Sequence, residues 1–538
     1  MIFGEIPVAE AEGAILAHSV KHAGGVFKKG RKISRKDVAD LEVAGIASVF
    51  AACLGPDDVP EDAAAALVAS AIAGLGAVIQ APFTGRANLH AQVRGLAIID
   101  AQRLRAVNHL DESLTVATVE PFAIVDQREL VATVKIIPFA APRAVVDQAM
   151  AIIGTTPLVR VEAFHSKEVG LVITRLAQTK SSLVTKSEDA MRERVEALGG
   201  TLAAVVVVSH EVEQVSASIA RLHDGGCDPI LVFGASAIVD RGDIIPRALV
   251  EAGGEVIHLG MPVDPGNLMM FGRLGRTPVI GVPSCARSPK LNGFDWVLQR
   301  VMADVPVSRE DIMDMGAGGL LAEIPTRPAP RDVRPKAQRA PRVVALVLAA
   351  GQSSRMGSNK LLADVGGQAL IRAVASRALA SPVDKVIVVT GRDADHIGKA
   401  LDGLDIEAVH NPDFAHGLST SLRRGLEALP VDTDAVIVCL GDMPLVDAGT
   451  IGRLVAAFNP AEHRSICVPV HLGERGNPVL WGRQHFAALS GLSGDRGARQ
   501  LIDQYADEVV EVSMPDRGVL TDIDTPEALD DFRSGRSP

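Results

Sequence analysis

The chain has 538 residues, which predicts three or four domains at about 150 residues each. Hydrophobic residues make up 47% of the chain and aromatic residues only 3%, so alanine, valine and leucine must fill the cores. The formal net charge of −11 argues against nucleic acid as a partner, because no face rich in Lys and Arg is expected to dominate the surface.

Cysteine usage and the apolar runs predict where the protein works. The five cysteines form no CxxC pair, so they fit neither a disulfide framework nor a structural zinc site. The first residues are acidic where a signal peptide would be basic, and no apolar run approaches about 18 residues. The sequence therefore predicts a protein of the reducing cytoplasm with no membrane segment.

The half of the chain before residue 324 divides into two regions. Residues 1–165 mix short strand-like runs with turns, which predicts a smaller mixed α+β region. In residues 166–323 strands alternate with helices, which predicts an α/β domain. The predicted strands are Thr201–Ser209, Pro229–Phe233, Glu255–Leu259 and Pro278–Val282, and the predicted helices are Glu211–Leu222 and Asp243–Ala252.

A proline-rich segment separates this half from the rest of the chain. Residues 324–341 contain five prolines and five Lys or Arg residues with almost no apolar content, which is typical of an extended linker. In residues 342–538 strand-like runs again alternate with helical patterns, which predicts a doubly wound, Rossmann-like α/β sheet. The predicted strands are Val343–Leu348, Lys385–Thr390, Ile406–His410, Ala435–Leu440 and Ser465–Pro469, and the predicted helices are Ala369–Ala380, Asp395–Leu401, Ser419–Leu429 and Thr450–Phe458.

The segment LAAGQSSRMGSNK, residues 348–360, follows the first of these strands and has the composition of a triphosphate cradle. Glycines let the backbone approach phosphate closely, loop N–H groups point at phosphate oxygens, and two cations neutralise the charge. We expect Arg355 and Lys360 to hold the β- and γ-phosphates; the alternative is that they are solvated surface charges. The predicted nucleotide-binding residues here are Leu348, Ala349, Ala350, Gly351, Ser353, Ser354 and Gly357.

This segment resembles the signature of the molybdenum cofactor nucleotidyltransferase family, and the resemblance extends over residues 342–532. Asp442, in the sequence GDMP, follows a predicted strand at the carboxyl edge of the sheet, where α/β proteins collect ligands. The resemblance implies that Asp442 and Asp524, the latter in DIDTPE, hold Mg²⁺, a cation that takes carboxylates, phosphate oxygens and water. We prefer Asp524 to Asp522 as the second ligand. The structural alternatives are a turn at Asp442 and a helix N-terminus at Asp524.

The same resemblance bears on the substrates. Ser419 and Ser421, in GLSTSLR, match the loop and helix start that contact base and ribose, and Asn477 and Pro478 match a segment that lines the acceptor side. The first loop contains LAAG, as in the cytidylyl branch, whereas the guanylyl branch usually has LAGG, so the resemblance favours CTP over GTP. It implies Arg355, Lys360 and Asp442 as the catalytic residues, with no protein nucleophile.

Residues 233–289 resemble the molybdopterin-binding domain shared by molybdopterin adenylyltransferases and molybdenum-insertion proteins. The resemblance places Gly234, Ser236 and Asp243 at the molybdopterin site, although Asp243 is equally well placed as a helix N-cap. Glycine-rich turns at strand ends suit a ligand that carries phosphate. An acidic residue, Asp264, stands where this family commonly has lysine, which argues that this half neither inserts molybdate nor adenylylates by itself. Because related domains often oligomerise, the resemblance also implies a homo-oligomer.

Together these resemblances imply an enzyme of molybdenum cofactor biosynthesis. It would transfer CMP from CTP to the terminal phosphate of (molybdo)molybdopterin with Mg²⁺, releasing pyrophosphate and giving molybdopterin cytosine dinucleotide. The alternatives are GTP as the donor, another phosphorylated acceptor such as a sugar, and a non-catalytic carrier that hands finished cofactor to an apo-molybdoenzyme. A complete triphosphate loop with two aspartates favours catalysis, since a carrier does not need a triphosphate seat.

Overall fold

The computed structural model describes residues 1–22, 25–321, 339–351, 359–492 and 498–533. Most of the predicted linker, residues 324–341, therefore lies outside the described residues, and so does the loop 352–358. No helix among the described residues is long and apolar enough to cross a membrane. The chain forms mixed α/β structure, as the alternation of strands and helices predicts.

Residues 1–53 form a small module around a three-stranded antiparallel sheet of order β1-β5-β2. Its core is built from Ile6, Leu16, Phe27 and Leu41, all buried. Ser34 caps its helix, since the Ser34 hydroxyl accepts from the backbone N–H of Asp37 while the Asp37 carboxylate accepts from that of Ser34. The strands are β1 (Ile2–Pro7), β2 (Ile15–Leu16), β3 (Val20–His22), β4 (Gly25–Phe27) and β5 (Ser48–Cys53), and the helix is α1 (Arg35–Val43).

The next stretch, residues 58–163, has a separate core between small antiparallel sheets and an alanine-rich helix. The helix buries Ala64, Ala65 and Ala69 against the sheet, because small side chains let helix and strands approach closely. Its strands are β6 (Asp58–Pro60), β7 (Ala77–Ile79), β8 (Arg86–Ala91), β9 (Gly95–Ile99), β10 (Leu114–Thr118), β11 (Ile124–Val125), β12 (Leu130–Ile136), β13 (Ala140–Pro142) and β14 (Val159–Ala163), and its helices are α2 (Glu61–Ile72), α3 (Ala101–Asn108) and α4 (Arg143–Ile153).

Residues 168–313 form an α/β unit on a six-stranded sheet of order β16-β15-β17-β20-β19-β18. The first four strands in that order are parallel, and β19 is antiparallel to both of its neighbours. Helices α5 and α8 pack on one face and α6 and α7 on the other. The strands are β15 (Glu168–Arg175), β16 (Thr201–Ser209), β17 (Ile230–Phe233), β18 (Glu255–Leu259), β19 (Met270–Leu274) and β20 (Thr277–Val282), and the helices are α5 (Ser181–Ala197), α6 (Val212–Asp224), α7 (Ile244–Glu251), α8 (Gly293–Met302) and α9 (Arg309–Met313).

The C-terminal part is built on an eight-stranded sheet of order β23-β22-β21-β24-β27-β25-β26, with β28 paired to β25. Strands β21 to β24 are parallel to one another, whereas β27 runs antiparallel to both of its neighbours. The strands are β21 (Val343–Ala349), β22 (Lys385–Thr390), β23 (Glu407–His410), β24 (Ala435–Leu440), β25 (Ile466–His471), β26 (Glu474–Arg475), β27 (Val479–Gly482) and β28 (Val509–Ser513). The helices are α10 (Leu370–Leu379), α11 (Ala394–Leu401), α12 (Leu418–Glu427), α13 (Ala448–Ala457), α14 (Phe486–Ser490), α15 (Arg499–Gln504) and α16 (Pro526–Arg533).

The connections of this sheet create a crevice at its carboxyl edge. Helices α10, α11 and α13 cover one face, while α12, α14 and α15 cover the other. The chain leaves β21 toward β22 on one side and leaves β24 toward β25 on the other, so the direction of winding reverses between β21 and β24. In open α/β sheets ligands bind outside the carboxyl ends of the strands at such a reversal.

Candidate active site

Three charged side chains meet at this crevice. The Lys360 Nζ atom lies 2.6 Å from Oδ2 of Asp442 and 2.5 Å from Oδ1 of Asp524. Asp442 follows β24 directly, and Lys360 begins a short 3₁₀ turn after the phosphate-loop segment. The structure thus brings together three of the predicted site residues, which are 82 and 164 positions apart along the chain.

Burial and charge act in opposite directions on this lysine. Burial by itself would lower the pKa of Lys360, but the Asp442 and Asp524 carboxylates outweigh it and raise the pKa above its usual value. Burial, followed by the nearby Asp524 and Asp442 charges, raises the pKa of Asp522. The crevice therefore favours a cation, and its carboxylates repel further negative charge.

The oxygens at this position suit a divalent metal. The Oδ1 atom of Asp442 is buried and has no hydrogen-bond partner among the described residues. A buried carboxylate oxygen without a partner is costly unless a cation or water satisfies it. Two carboxylates match the ligands that Mg²⁺ and Mn²⁺ prefer, and no cluster of three or more His, Cys, Asp or Glu side chains with metal-binding geometry occurs in the described parts of the chain.

The carboxyl end of β21 lies beside the segment that carries Asp442. Leu348, Ala349 and Ala350 are buried, whereas Gly351 is exposed at the start of the loop. The backbones here are packed closely: a Cβ on Gly441 would lie 2.9 Å from the carbonyl oxygen of Leu348. The other predicted residues of this loop, Ser353, Ser354, Arg355 and Gly357, lie outside the described residues.

A cavity of about 690 Å³ opens next to the carboxyl ends of β21 and β24. Its walls combine apolar side chains with a few polar groups, a composition typical of small-molecule sites. The residues that line it include three predicted site residues, Leu348, Ser419 and Asn477, together with Arg475, Trp481 and Arg499.

Of the two serines predicted to contact the base and ribose, only Ser419 lines this cavity. Ser421 is 2% exposed, and its hydroxyl accepts a hydrogen bond from Nδ2 of Asn411 at 3.0 Å. The same amide donates to the Thr420 hydroxyl at 2.9 Å. Asn411 is itself 2% exposed, so this network fixes the start of α12 from inside the fold.

The predicted acceptor residues of this domain occupy two different environments. Asn477 lines the cavity and its backbone N–H donates to the carbonyl of Val519 at 2.9 Å. Pro478 instead packs among apolar side chains behind the sheet, including Cys439 and Met443. Gly476 is required by close packing, because a Cβ there would lie 2.1 Å from the Val519 carbonyl oxygen.

The remaining predicted acceptor residues lie on the other α/β sheet, residues 168–313. The Ser236 hydroxyl is 2.8 Å from Nε2 of His210, whose Nδ1 is 2.9 Å from the Thr174 hydroxyl. The Thr174 hydroxyl also accepts from the backbone N–H of Ala235 at 2.7 Å. These groups connect the carboxyl ends of β15, β16 and β17. They lie where winding reverses, since the chain leaves β15 through α5 on one face and β17 through α7 on the other.

The hydrogen bonds among Thr174, His210 and Ser236 determine which of their atoms donate and which accept. Thr174 is 3% exposed, so its hydroxyl proton needs an acceptor, and Nδ1 of His210 provides one. Nε2 then carries the histidine proton and donates to Ser236, which leaves the exposed Ser236 hydroxyl free to donate outward. Burial lowers the pKa of His210, against the pull of Asp243, and so favours this neutral state.

The other two predicted residues of this edge have structural contacts. The Asp243 carboxylate accepts from the backbone N–H groups of Val239 and Asp240, and those bonds lower its pKa. It occupies the N-cap position of α7 without a side-chain bond to that helix. A Cβ on Gly234 would lie 2.6 Å from the Ser236 carbonyl oxygen, so only glycine permits this turn. Sequence inspection missed Thr174 and His210; their signal was a polar residue at the end of an apolar strand.

Comparisons with known proteins match two parts of the chain. The model of the MobA-like NTP transferase domain matches residues 345–509, and a domain of unknown function matches residues 5–53. The purine catabolism protein PucB of Bacillus subtilis is 30% identical over 218 residues, which are 37% of this chain and 100% of that protein. The nicotine blue oxidoreductase of Paenarthrobacter nicotinovorans is 29% identical over 196 residues, 35% of this chain and 95% of that protein.

A third relative carries the activity that the sequence predicts. The molybdenum cofactor cytidylyltransferase of Escherichia coli is 27% identical over 191 residues, 35% of this chain and 92% of that protein. Since PucB is 30% identical and aligns over its whole length, and the MobA-like model matches residues 345–509, the chain belongs to the MobA-like NTP transferase family and is a nucleotidyltransferase.

Proposed function

We propose that the protein is a molybdenum cofactor cytidylyltransferase. It transfers CMP from CTP to the terminal phosphate of (molybdo)molybdopterin and releases pyrophosphate, giving molybdopterin cytosine dinucleotide. The observation that carries the proposal is the contact of Lys360 with Asp442 and Asp524 at the winding reversal of the C-terminal sheet. The Escherichia coli relative supports the choice of substrates, and the sequence LAAG supports CTP.

In the proposed reaction an oxygen of the acceptor phosphate attacks the α-phosphorus of CTP. The bond from that phosphorus to the bridging oxygen of the β-phosphate breaks, and pyrophosphate leaves with the electron pair. Asp442 and Asp524 would hold Mg²⁺, which when bound supplies positive charge for the triphosphate oxygens. Lys360, together with Arg355, offsets the charge that grows on the leaving pyrophosphate. The apolar wall of the cavity, with Leu348 and Trp481, excludes water that would hydrolyse CTP.

The second α/β sheet is proposed to bind the molybdopterin. The outward-pointing Ser236 hydroxyl and the tight turn at Gly234 offer donors to an oxygen-bearing ligand, although Asp243 is occupied with its own backbone contacts. Two sites in one chain raise the effective concentration of a scarce intermediate at the transferase. Delivery to an apo-molybdoenzyme, a homo-oligomeric state and a cytoplasmic location belong to the same proposal.

The test is pyrophosphate release by purified protein with Mg²⁺, molybdenum cofactor and CTP, GTP or ATP in turn. Release with CTP supports the proposal, and release with GTP alone replaces the donor while keeping the chemistry. Release with none of the three nucleotides, despite cofactor binding, favours a carrier. Lys360→Ala and Asp442→Ala are expected to abolish turnover while leaving cofactor binding at the other sheet unchanged, and retained turnover in both would refute the assigned site.

A further inference from the structure

One wall of the cavity in the transferase domain also contacts residues 1–53. Strands β25 and β26 form a hairpin in which Val470 pairs with Arg475 and His471 pairs with Glu474. The cavity is lined by the turn residue Gly473 and by β26. This hairpin therefore forms part of the rim on the side of Asn477, the predicted acceptor side.

The hairpin has an intrinsically weak turn. Its two central residues, Leu472 and Gly473, have φ values of 49° and 87°. Two positive φ values suit the twist of a two-residue hairpin, but a leucine in this conformation is strained. Leu472 is also 82% exposed, so it gains little from packing. A turn of this kind, closed by a two-residue strand, is stabilised by any contact that holds its backbone in place.

Residues 1–53 supply such contacts. The Arg31 guanidinium lies against the turn, with Nη2 3.0 Å from the position that a Cβ on Gly473 would occupy. Arg31 is held in that place by two hydrogen bonds to the buried Asp37, at 3.0 and 2.8 Å, and its guanidinium stacks 4.5 Å over the ring of Phe27. A cation fixed by a carboxylate and an aromatic ring is a rigid support.

A second contact anchors the same module to the neighbouring strand. The Lys28 ammonium donates to the backbone carbonyl of Val509 at 2.9 Å. Val509 begins β28, which pairs with β25 and so continues the sheet beneath the hairpin. Arg475 of the hairpin forms an ion pair with Glu511 of β28. This ion pair links the strand that Lys28 contacts to the hairpin that Arg31 contacts.

We propose that residues 1–53 are a support for the cavity rim, and that Lys28 and Arg31 are positioning residues for the acceptor substrate. Both side chains act through the hairpin 470–475. The inference rests on the proposed function only in naming the acceptor as the molecule held at this rim. It gives residues 5–53, which match a domain of unknown function, a role in the transfer reaction.

Hydrogen exchange of the free full-length protein tests the support without any substrate. In Lys28→Met and Arg31→Lys, the backbone amides of residues 470–476 are expected to exchange threefold to tenfold faster, because each variant loses about one hydrogen bond or contact. Lys36→Met removes an exposed lysine of the same module and is the matched control. Unchanged exchange at the hairpin in both variants would overturn the proposal.

Steady-state kinetics test the consequence for the substrate. Both variants are expected to raise KM for molybdenum cofactor at least threefold and to leave KM for CTP unchanged. Faster exchange with an unchanged acceptor KM would refute the positioning role. A wild-type protein inactive with every nucleotide would refute the proposed function instead, and the exchange measurement would still decide whether the module supports the hairpin.

Discussion

Replacing Lys360 by Met is expected to increase the affinity of the nucleotide-free protein for Mn²⁺. In the structure the ammonium lies within 2.6 Å of carboxylate oxygens from both Asp442 and Asp524, where it competes with a metal for the same negative charge. Methionine keeps the length and most of the volume of the side chain but removes the cation. The two carboxylates then lose this positive charge.

The size of the effect follows from distance and exposure. Two unit charges at 4 Å interact with about 4 kcal/mol when the effective dielectric constant is about 20. Solvent screens the Asp524 pair, because that side chain is 45% exposed, whereas Asp442 is 19% exposed. If removing the ammonium makes the free energy of metal binding about 2 kcal/mol more favourable, the metal affinity increases about 30-fold.

Isothermal titration calorimetry of Mn²⁺ into the nucleotide-free protein measures this directly. Lys385→Met is the matched control, because Lys385 pairs with Glu407 at 2.5 Å at the opposite end of the sheet and both side chains are about 40% exposed. The control should bind Mn²⁺ like the wild type. Unchanged or weaker metal binding by Lys360→Met would show that the lysine does not compete for these carboxylates. Turnover should fall in Lys360→Met, so the Mn²⁺ affinity of this variant rises while its activity falls.

Two further predictions concern stability. Gly476→Ala is expected to lower the melting temperature by several degrees, about 2 kcal/mol, since its Cβ would lie 2.1 Å from the Val519 carbonyl oxygen; Gly398→Ala, in a helix with no neighbour within 4 Å, should not. Burial lowers the pKa of His90 to about 4, so the folded protein resists a proton that the unfolded chain accepts. The contribution of His90 to the unfolding free energy should therefore fall as the pH is lowered from 6.5 to 4, and urea titrations should show that His90→Gln removes this contribution. Glu61, whose pKa is raised to about 7, titrates in both proteins and cancels in the comparison. Equal melting temperatures for both glycine variants, or equal slopes for both proteins, would contradict these expectations.

The parallel strands were predictable because they are buried on both faces. Continuous apolar runs such as Val343–Ala349 and Ala435–Leu440 leave little ambiguity, and both lie within one residue of the predicted bounds. The antiparallel strand Met270–Leu274 was missed, because a glycine and an arginine interrupt its apolar pattern. The small sheets of residues 58–163 were equally hard to define, since short strands such as Asp58–Pro60 carry almost no periodicity.

The candidate site was predictable to the extent that topology alone brings residues together. Polar residues that follow parallel strands meet at one edge of the sheet, so the sequence alone predicts that Asp442 and Lys360 lie there. Side-chain direction does not follow from that rule. Ser419 and Ser421 are two residues apart near the start of one helix, yet one lines the cavity and the other is locked to Asn411 inside the fold.

Side-chain direction also decides the arrangement at the carboxyl edge of the other α/β sheet, at residues 174, 210 and 236. Ser236 was singled out by its motif, but its orientation depends on His210, a residue 26 positions away that no motif marked. Thr174 in turn sets the histidine tautomer, because its buried hydroxyl has to donate to Nδ1. Each residue taken singly is an ordinary polar side chain after a strand. Only the three-dimensional order of donors and acceptors makes Ser236 an outward donor, and this is information that a motif does not contain.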